Sequence, residues 1–174
     1  QAWAGVLLGG DHARLGGQAA LYLHGLQEAP PDRITVLVPA GSRPRVDGPW
    51  DFLREGPASR SPRSVGSPSR ITVEDAVLDA VAVEDDDRRV IGLVTEAVQQ
   101  RRTTAKKLGT ALKKRRAIAH RGLLLKLLGD VEQGVRSPLE RDYLHRVERA
   151  HGLPSVNDSR SGGELRWTFG TSST

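Results

Sequence analysis

Apolar residues recur along this chain at two spacings, and the spacing changes at identifiable punctuation. Arg33 to Val38 (RITVLV) is rich in β-branched residues and closes on Pro39, so it is expected to form a strand. Trp50 to Arg54 (WDFLR) alternates apolar and polar residues and reads as a second, half-buried strand. Residues 1–8 (QAWAGVLL) read as the end of a helix with Trp3, Val6 and Leu7 on one face, broken by Gly9, Gly10 and Asp11. From Arg14 to His24 the positions Leu15, Ala19, Tyr22, Leu23 and Leu26 predict a helix that Gly25 ends. Gly16 and Gly17 weaken its first turn, which moves its expected start towards Gln18. Residues 56–70 (GPASRSPRSVGSPSR) read as a solvated loop with room for a short strand near Arg63 to Val65.

The second half is helical in pattern. Thr72 is placed to cap a helix whose stripe is Val73, Ala76, Val77, Ala80 and Val81, with Glu74 and Asp75 at the positive end of its dipole. The acids Glu84 to Asp87 precede a helix with the stripe Val90, Leu93, Val94, Ala97 and Val98. Thr103 or Thr104 starts another, turning Ala105, Leu108, Ala111 and Leu112 inward. His120 to Leu128 is apolar nearly all round and is expected to be buried. Ser137-Pro-Leu-Glu140 is a capping box with Pro at the first helical position, opening a helix to about His151; Gly152 and Pro154 end it. The polar tail holds one strand-like piece, Leu165 to Phe169.

Charge is concentrated in one stretch. Between Glu96 and Asp130 lie ten Lys and Arg residues and no acid: Arg101, Arg102, Lys106, Lys107, Lys113, Lys114, Arg115, Arg116, Arg121 and Lys126. The whole chain carries a net charge of only +5, so everything outside this stretch is net acidic. Lys106 and Lys113 are seven residues apart, as are Lys107 and Lys114, so each pair projects roughly one way. Cations in rows on helices are the composition of a phosphate-binding surface. The stretch lacks a helix-turn-helix signature and any interleaved aromatic for base stacking. A solvated face, or a surface that neutralises an acidic partner, is the alternative reading.

The totals narrow the chemistry. With 174 residues, 37% hydrophobic and 27% charged, the chain suits one globular domain with or without a loose tail. Neither a membrane span nor a secretory signal is visible, and a cytoplasmic location is expected. Cysteine is absent, which excludes disulfides and thiolate metal sites. Methionine is absent too, and the chain starts at Gln1, as expected of a fragment, a processed product or a gene remnant. The histidines His12, His24, His120, His145 and His151 form no local triad or metal spacing. Asp85, Asp86 and Asp87 are consecutive, which suits a solvated helix start better than one cation. No P-loop is present. No cofactor and no metal are therefore expected.

The order of the segments ARLGGQAALYLHGL (Ala13 to Leu26), ITVLVP (Ile34 to Pro39), SRITVEDAVLDAV (Ser69 to Val81), GLVTEAVQQRRTT (Gly92 to Thr104) and GVRSPLERDYLHRVERAHGLP (Gly134 to Pro154) resembles a group of actinobacterial proteins. These are similar to the AbiEi-like antitoxins of abortive-infection toxin–antitoxin systems, many ending in a domain like very-short-patch-repair endonucleases. The resemblance spans roughly residues 1–154. It implies transcriptional regulation, with a cognate toxin or its gene's operator as partner. It also implies a winged helix-turn-helix ahead of Gln1. The nuclease-like domain would begin near Ser137, where Glu140 matches an acidic residue of its first helix, and the match fades after Gly163. Glu140 alone cannot assemble a metal-dependent nuclease site, which needs several carboxylates, and the capping box accounts for it.

The expected architecture is α+β: a small β-sheet from roughly residues 33–65 packed on helices, followed by a helical C-terminal half. Residues 1–133 would form the AbiEi-like domain, 134–154 the first helix of a truncated nuclease-like domain, and 155–174 a poorly structured tail. With that resemblance, the expected function is that of a non-catalytic AbiEi-like antitoxin or transcriptional regulator fragment binding nucleic acid or a partner through its basic helices. The alternative is a nuclease remnant, inactive alone, with Glu140 as its surviving catalytic residue.

Overall fold

A short sheet lies between one helix and a layer of several. The computed structural model describes residues 1–132 apart from 43, 45–46, 57–59 and 116. All of these belong to one compact unit, Gln1–Ser137. The described elements run α1 (Ala2–Gly9), β1 (Arg14–Leu15), α2 (Gly17–Leu23), β2 (Ile34–Val38), β3 (Trp50–Arg54), α3 (Val73–Ala82), α4 (Asp87–Gln99), α5 (Ala105–Lys114) and α6 (Arg121–Glu132). The chain is thus α+β, as its pattern predicts, and no described helix is long and apolar enough to cross a membrane. The expected helix from Ser137, the strand-like piece at Leu165, Glu140 and Arg116 lie outside the described residues.

β2 is the centre of the sheet, whose order is β1-β2-β3. It pairs antiparallel with β1 (Leu15 opposite Val36) and parallel with β3 (Val36 opposite Phe52). Successive side chains on a strand point to opposite faces. Ile34, Val36 and Val38 accordingly join Leu15 and Ala19 in a cluster flanked by Ala2 and Val6 of α1. Leu37 points the other way, into a larger core built from α3, α4, α5 and α6. Burial on both faces explains why β2 reads as a continuous apolar run.

Four sequence expectations need correction. The segment Arg14 to His24 is not one helix: Arg14 and Leu15 form β1, and α2 starts at Gly17. The Gly16-Gly17 pair lets the chain turn out of the sheet, Gly17 at φ 50°. α2 does end at Gly25, in a Schellman motif: Leu26 N–H reaches Leu21 C=O at 3.0 Å, Gly25 N–H reaches Tyr22 C=O at 2.9 Å, and Leu26 and Leu21 are both buried. α1 does not bury Trp3 and Leu7, which are 54% and 73% exposed. It packs through Gly5 and Gly9, because a Cβ on Gly5 would come within 2.6 Å of Trp50 Cδ1. Tyr22, expected in the stripe of α2, is 37% exposed. α6 is amphipathic rather than buried all round: Leu124, Leu127 and Leu128 are inside, Leu125 is 51% exposed and Lys126 is exposed. By contrast, the loop reading of residues 60–70 holds: 63–65 form no strand, and only an isolated bridge joins Val65 to Arg70.

The capping expectations within the described residues hold. Thr72 Oγ1 accepts from Asp75 N–H at 3.3 Å, and Thr104 Oγ1 accepts from Lys107 N–H at 3.3 Å. Asp86 caps α4 by accepting from Arg88 N–H at 2.9 Å.

Candidate nucleic-acid interface

The cations of the basic stretch divide into two groups. Lys106, Lys107, Lys113 and Lys114 of α5 are exposed, opposite the buried Ala105, Leu108 and Leu112. At about 100° per residue, Lys106 and Lys113 share one flank and Lys107 and Lys114 the back of the helix. Arg101 and Arg102, in the link from α4, are also exposed. Among the described residues none of these six cations makes an ion pair. Arg101, Arg102, Lys106 and Lys107 border one shallow depression of about 520 Å³ at the α4–α5 corner.

The backbone at this corner is unusual. α4 ends in a second Schellman motif: Arg102 N–H reaches Ala97 C=O at 3.0 Å, and Arg101 N–H reaches Val98 C=O at 3.0 Å. The left-handed position of that motif is normally glycine, yet here it is Arg101 at φ 56°. A side chain there costs about 1–2 kcal/mol. Local electrostatics are strained as well. The first turns of α3 and α4 hold acids, but that of α5 holds Lys106 and Lys107 and no acid. Cations at the positive end of a helix dipole are destabilising by a few tenths of a kcal/mol each, unless an anion sits against them.

Two of the expected contact residues are turned inward. Arg115 is 10% exposed and donates from Nη1 to Asp79 Oδ1 at 2.8 Å and from Nη2 to Asp75 Oδ1 at 3.0 Å. Burial alone would lower its pKa; Asp79 and then Asp75 reverse that and hold it above the usual arginine value. Arg115 is the C-cap residue just past α5, seven residues after the buried Leu108, so it follows on from the inner side of that helix. That spacing is the signal the charge count overlooks. Arg121 donates from Nη1 to Arg115 C=O at 2.8 Å and to Leu112 C=O at 3.3 Å, closing the C-terminal end of α5.

Arg115 belongs to an alternating network that sequence reasoning missed. Arg14, 4% exposed, grips Glu55 bidentately at 2.6 and 3.1 Å. Arg60 lies 3.7 Å from the same Glu55 and donates to Asp79 at 2.7 Å. Three arginines thus meet three carboxylates: Arg14, Arg60 and Arg115 with Glu55, Asp75 and Asp79. The balance of charge lets the set be buried. Asp75 Oδ2 also accepts from Ser61 N–H at 2.9 Å and Thr72 Oγ1 at 3.1 Å. These residues look like ordinary helix-start acids and loop arginines in sequence, and only their long-range pairing distinguishes them.

No group of three or more His, Asp or Glu that could hold a metal occurs among the described residues. A cavity of about 650 Å³ lies beside α2, α3 and α4 and is lined largely by apolar residues such as Leu21, Leu37 and Val90. His24 donates from Nε2 to Ile71 C=O at 2.9 Å; burial lowers its pKa, helped by Arg70 and Arg102. In comparisons with known proteins, no family model, no curated protein and no solved structure matches this chain.

Proposed function

We propose that this unit is a non-catalytic nucleic-acid-binding module whose contact surface is the α4–α5 corner and the outer face of α5. The observation that carries the reading is that Arg101, Arg102, Lys106 and Lys107 gather at one depression with no acid paired to any of them among the described residues. The left-handed Arg101 supports it: strained backbone held at a charged surface points to a use for that charge. Lys113 and Lys114 extend the surface along α5 for about 10 Å, at 1.5 Å per residue. Such a surface of exposed Lys and Arg is suited to phosphate contacts, which position nucleic acid without reading its sequence. The resemblance to AbiEi-like antitoxins and regulators agrees with a DNA-binding role, and a cognate toxin or operator remains part of that proposal.

The test is an anisotropy titration of duplex DNA at several salt concentrations. Engagement of about five phosphates gives a log–log slope of about −4.5. Charge reversal at Arg101, Arg102, Lys106, Lys107, Lys113 and Lys114 is expected to abolish binding. A flat slope, or binding unaffected by the reversal, overturns the proposal. Equal competition by polyglutamate, charge for charge, would assign the surface to an acidic protein instead.

A further inference from the structure

We infer, building on the nucleic-acid reading above, that α5 forms only one wall of a phosphate-binding groove, and that Arg63 supplies the cation of the opposite wall. A groove of about 530 Å³ runs between α5 and the segment around Ser61 to Arg63. Lys106, Lys107 and Lys114 line it on one side and Arg63 on the other, with Thr110 and Glu74 also along it. The six-cation surface of α5 and its preceding link does not include Arg63, and the Ser/Pro/Arg-rich loop carrying it reads as plain solvated chain.

The loop is held at this point by buried groups. Arg14 Nη1 donates to Ser61 C=O at 2.8 Å and to Arg63 C=O at 3.1 Å. Ser61 N–H donates to Asp75 Oδ2 at 2.9 Å, and the Ser61 hydroxyl accepts from Arg63 N–H at 3.3 Å. The backbone of Arg63 is therefore tied to the same ion network that holds Arg115 and the C-terminal end of α5. Its side chain is exposed and makes no hydrogen bond or ion pair among the described residues. A cation with a fixed backbone and a free head, facing three lysines, loses less freedom on meeting a phosphate than one on a loose loop. The carboxylates nearby do not close the groove to anions. Asp75 is 3% exposed and is neutralised by Arg115, and Glu74 Oε1 accepts from Thr103 Oγ1 at 2.6 Å.

The test uses the full chain and a 20-base-pair duplex, with Arg63→Ala, Lys107→Ala, Glu74→Gln and, as an exposed cation away from the groove, Arg88→Ala. Each variant is first checked for an unchanged melting curve. Losing one phosphate contact lowers the steepness of the salt slope by about 0.9 and weakens binding roughly eightfold at 0.1 M salt. Arg63→Ala is expected to match Lys107→Ala in both, Arg88→Ala to leave both unchanged, and Glu74→Gln to tighten binding. If Arg63→Ala behaves like Arg88→Ala while Lys107→Ala loses affinity, the second wall is refuted and the α5 reading stands. If the unaltered chain shows no salt-dependent binding, both fall together.

Discussion

Arg115 Nη1 lies 2.8 Å from Asp79 Oδ1, and this contact removes from solvent one of four consecutive cations, Lys113 to Arg116. A residue that composition assigns to a binding surface instead has its side chain largely buried in an ion network. Its two carboxylate partners are 4% and 10% exposed, so truncation leaves buried charge without compensation. Arg115→Ala is expected to destabilise the fold by about 3–5 kcal/mol. Lys114→Ala, one residue away and exposed, is expected to shift stability by under about 0.5 kcal/mol. Urea denaturation of the two variants checks the contrast; equal effects would remove the network from the account.

Arg101 sets stability against binding. Replacing it by Gly relieves the left-handed penalty of about 1–2 kcal/mol, offset in part by the larger entropy of an unfolded glycine. Arg101→Gly is therefore expected to raise stability by about 0.5–1 kcal/mol while weakening DNA binding. Thermal melting and an anisotropy titration on the same preparation test both halves. A variant that is less stable, or one that binds as before, contradicts the assignment.

The glycines of α1 and α5 are expected to respond with opposite signs. Glycine to alanine in a helix interior normally stabilises by about 0.8–1 kcal/mol. Gly109 has nothing within 4 Å of a new Cβ, so Gly109→Ala is expected to follow that rule. At Gly5 the new Cβ would meet Trp50 Cδ1 at 2.6 Å and Val36 Cγ2 at 3.0 Å. Overpacking of that kind costs about 1–3 kcal/mol, so Gly5→Ala is expected to destabilise. Melting temperatures moving in the same direction would show that α1 does not pack on the sheet as described.

Two histidines give opposite pH dependences. His120 faces Glu84 C=O at 2.7 Å through Nε2 and Asp87 Oδ1 at 2.7 Å through Nδ1, so both ring nitrogens donate. The Glu84 carbonyl, then Asp87 and Asp85, raise its pKa. Its stabilising contribution is full below the unfolded value of about 6.5 and is lost as pH rises through the raised folded pKa. His24 is the reverse: burial lowers its pKa, so its contribution is full above about 6.5 and is lost as pH falls through the depressed folded pKa. Melting of His120→Asn and His24→Asn against the unaltered chain at pH 5 and pH 8 reads these out. The deficit of His120→Asn should be larger at pH 5, and that of His24→Asn larger at pH 8.

Much of the local structure was legible because its causes are local. The stripes of α3, α4 and α5, the Thr72 cap and the Gly25 terminus depend on residues within a few positions of one another, and helix geometry alone relates them. So does the outward projection of Lys106, Lys107, Lys113 and Lys114 once Leu108 and Leu112 point inward. The Arg14–Leu15 segment was misread because a two-residue strand has no periodicity of its own; only its pairing with Val36 and Leu37 defines it. α1 forms where its pattern places it, but its glycines, not its large side chains, make the close approach to Trp50.

The sequence by itself determined β2, β3 and the helices α3, α4 and α5 with most of their ends, and that an excess of cations lies between Glu96 and Asp130. Only the tertiary structure decided that Arg115 and Arg121 turn inward while the four lysines of α5 face solvent. Arg115 and Asp75 are 40 residues apart and Arg14 and Glu55 are 41 apart, and no local spacing relates them. A charge is kept outside or drawn inside according to whether a counter-charge waits in the core, and that counter-charge arrives from a distant part of the chain when it folds.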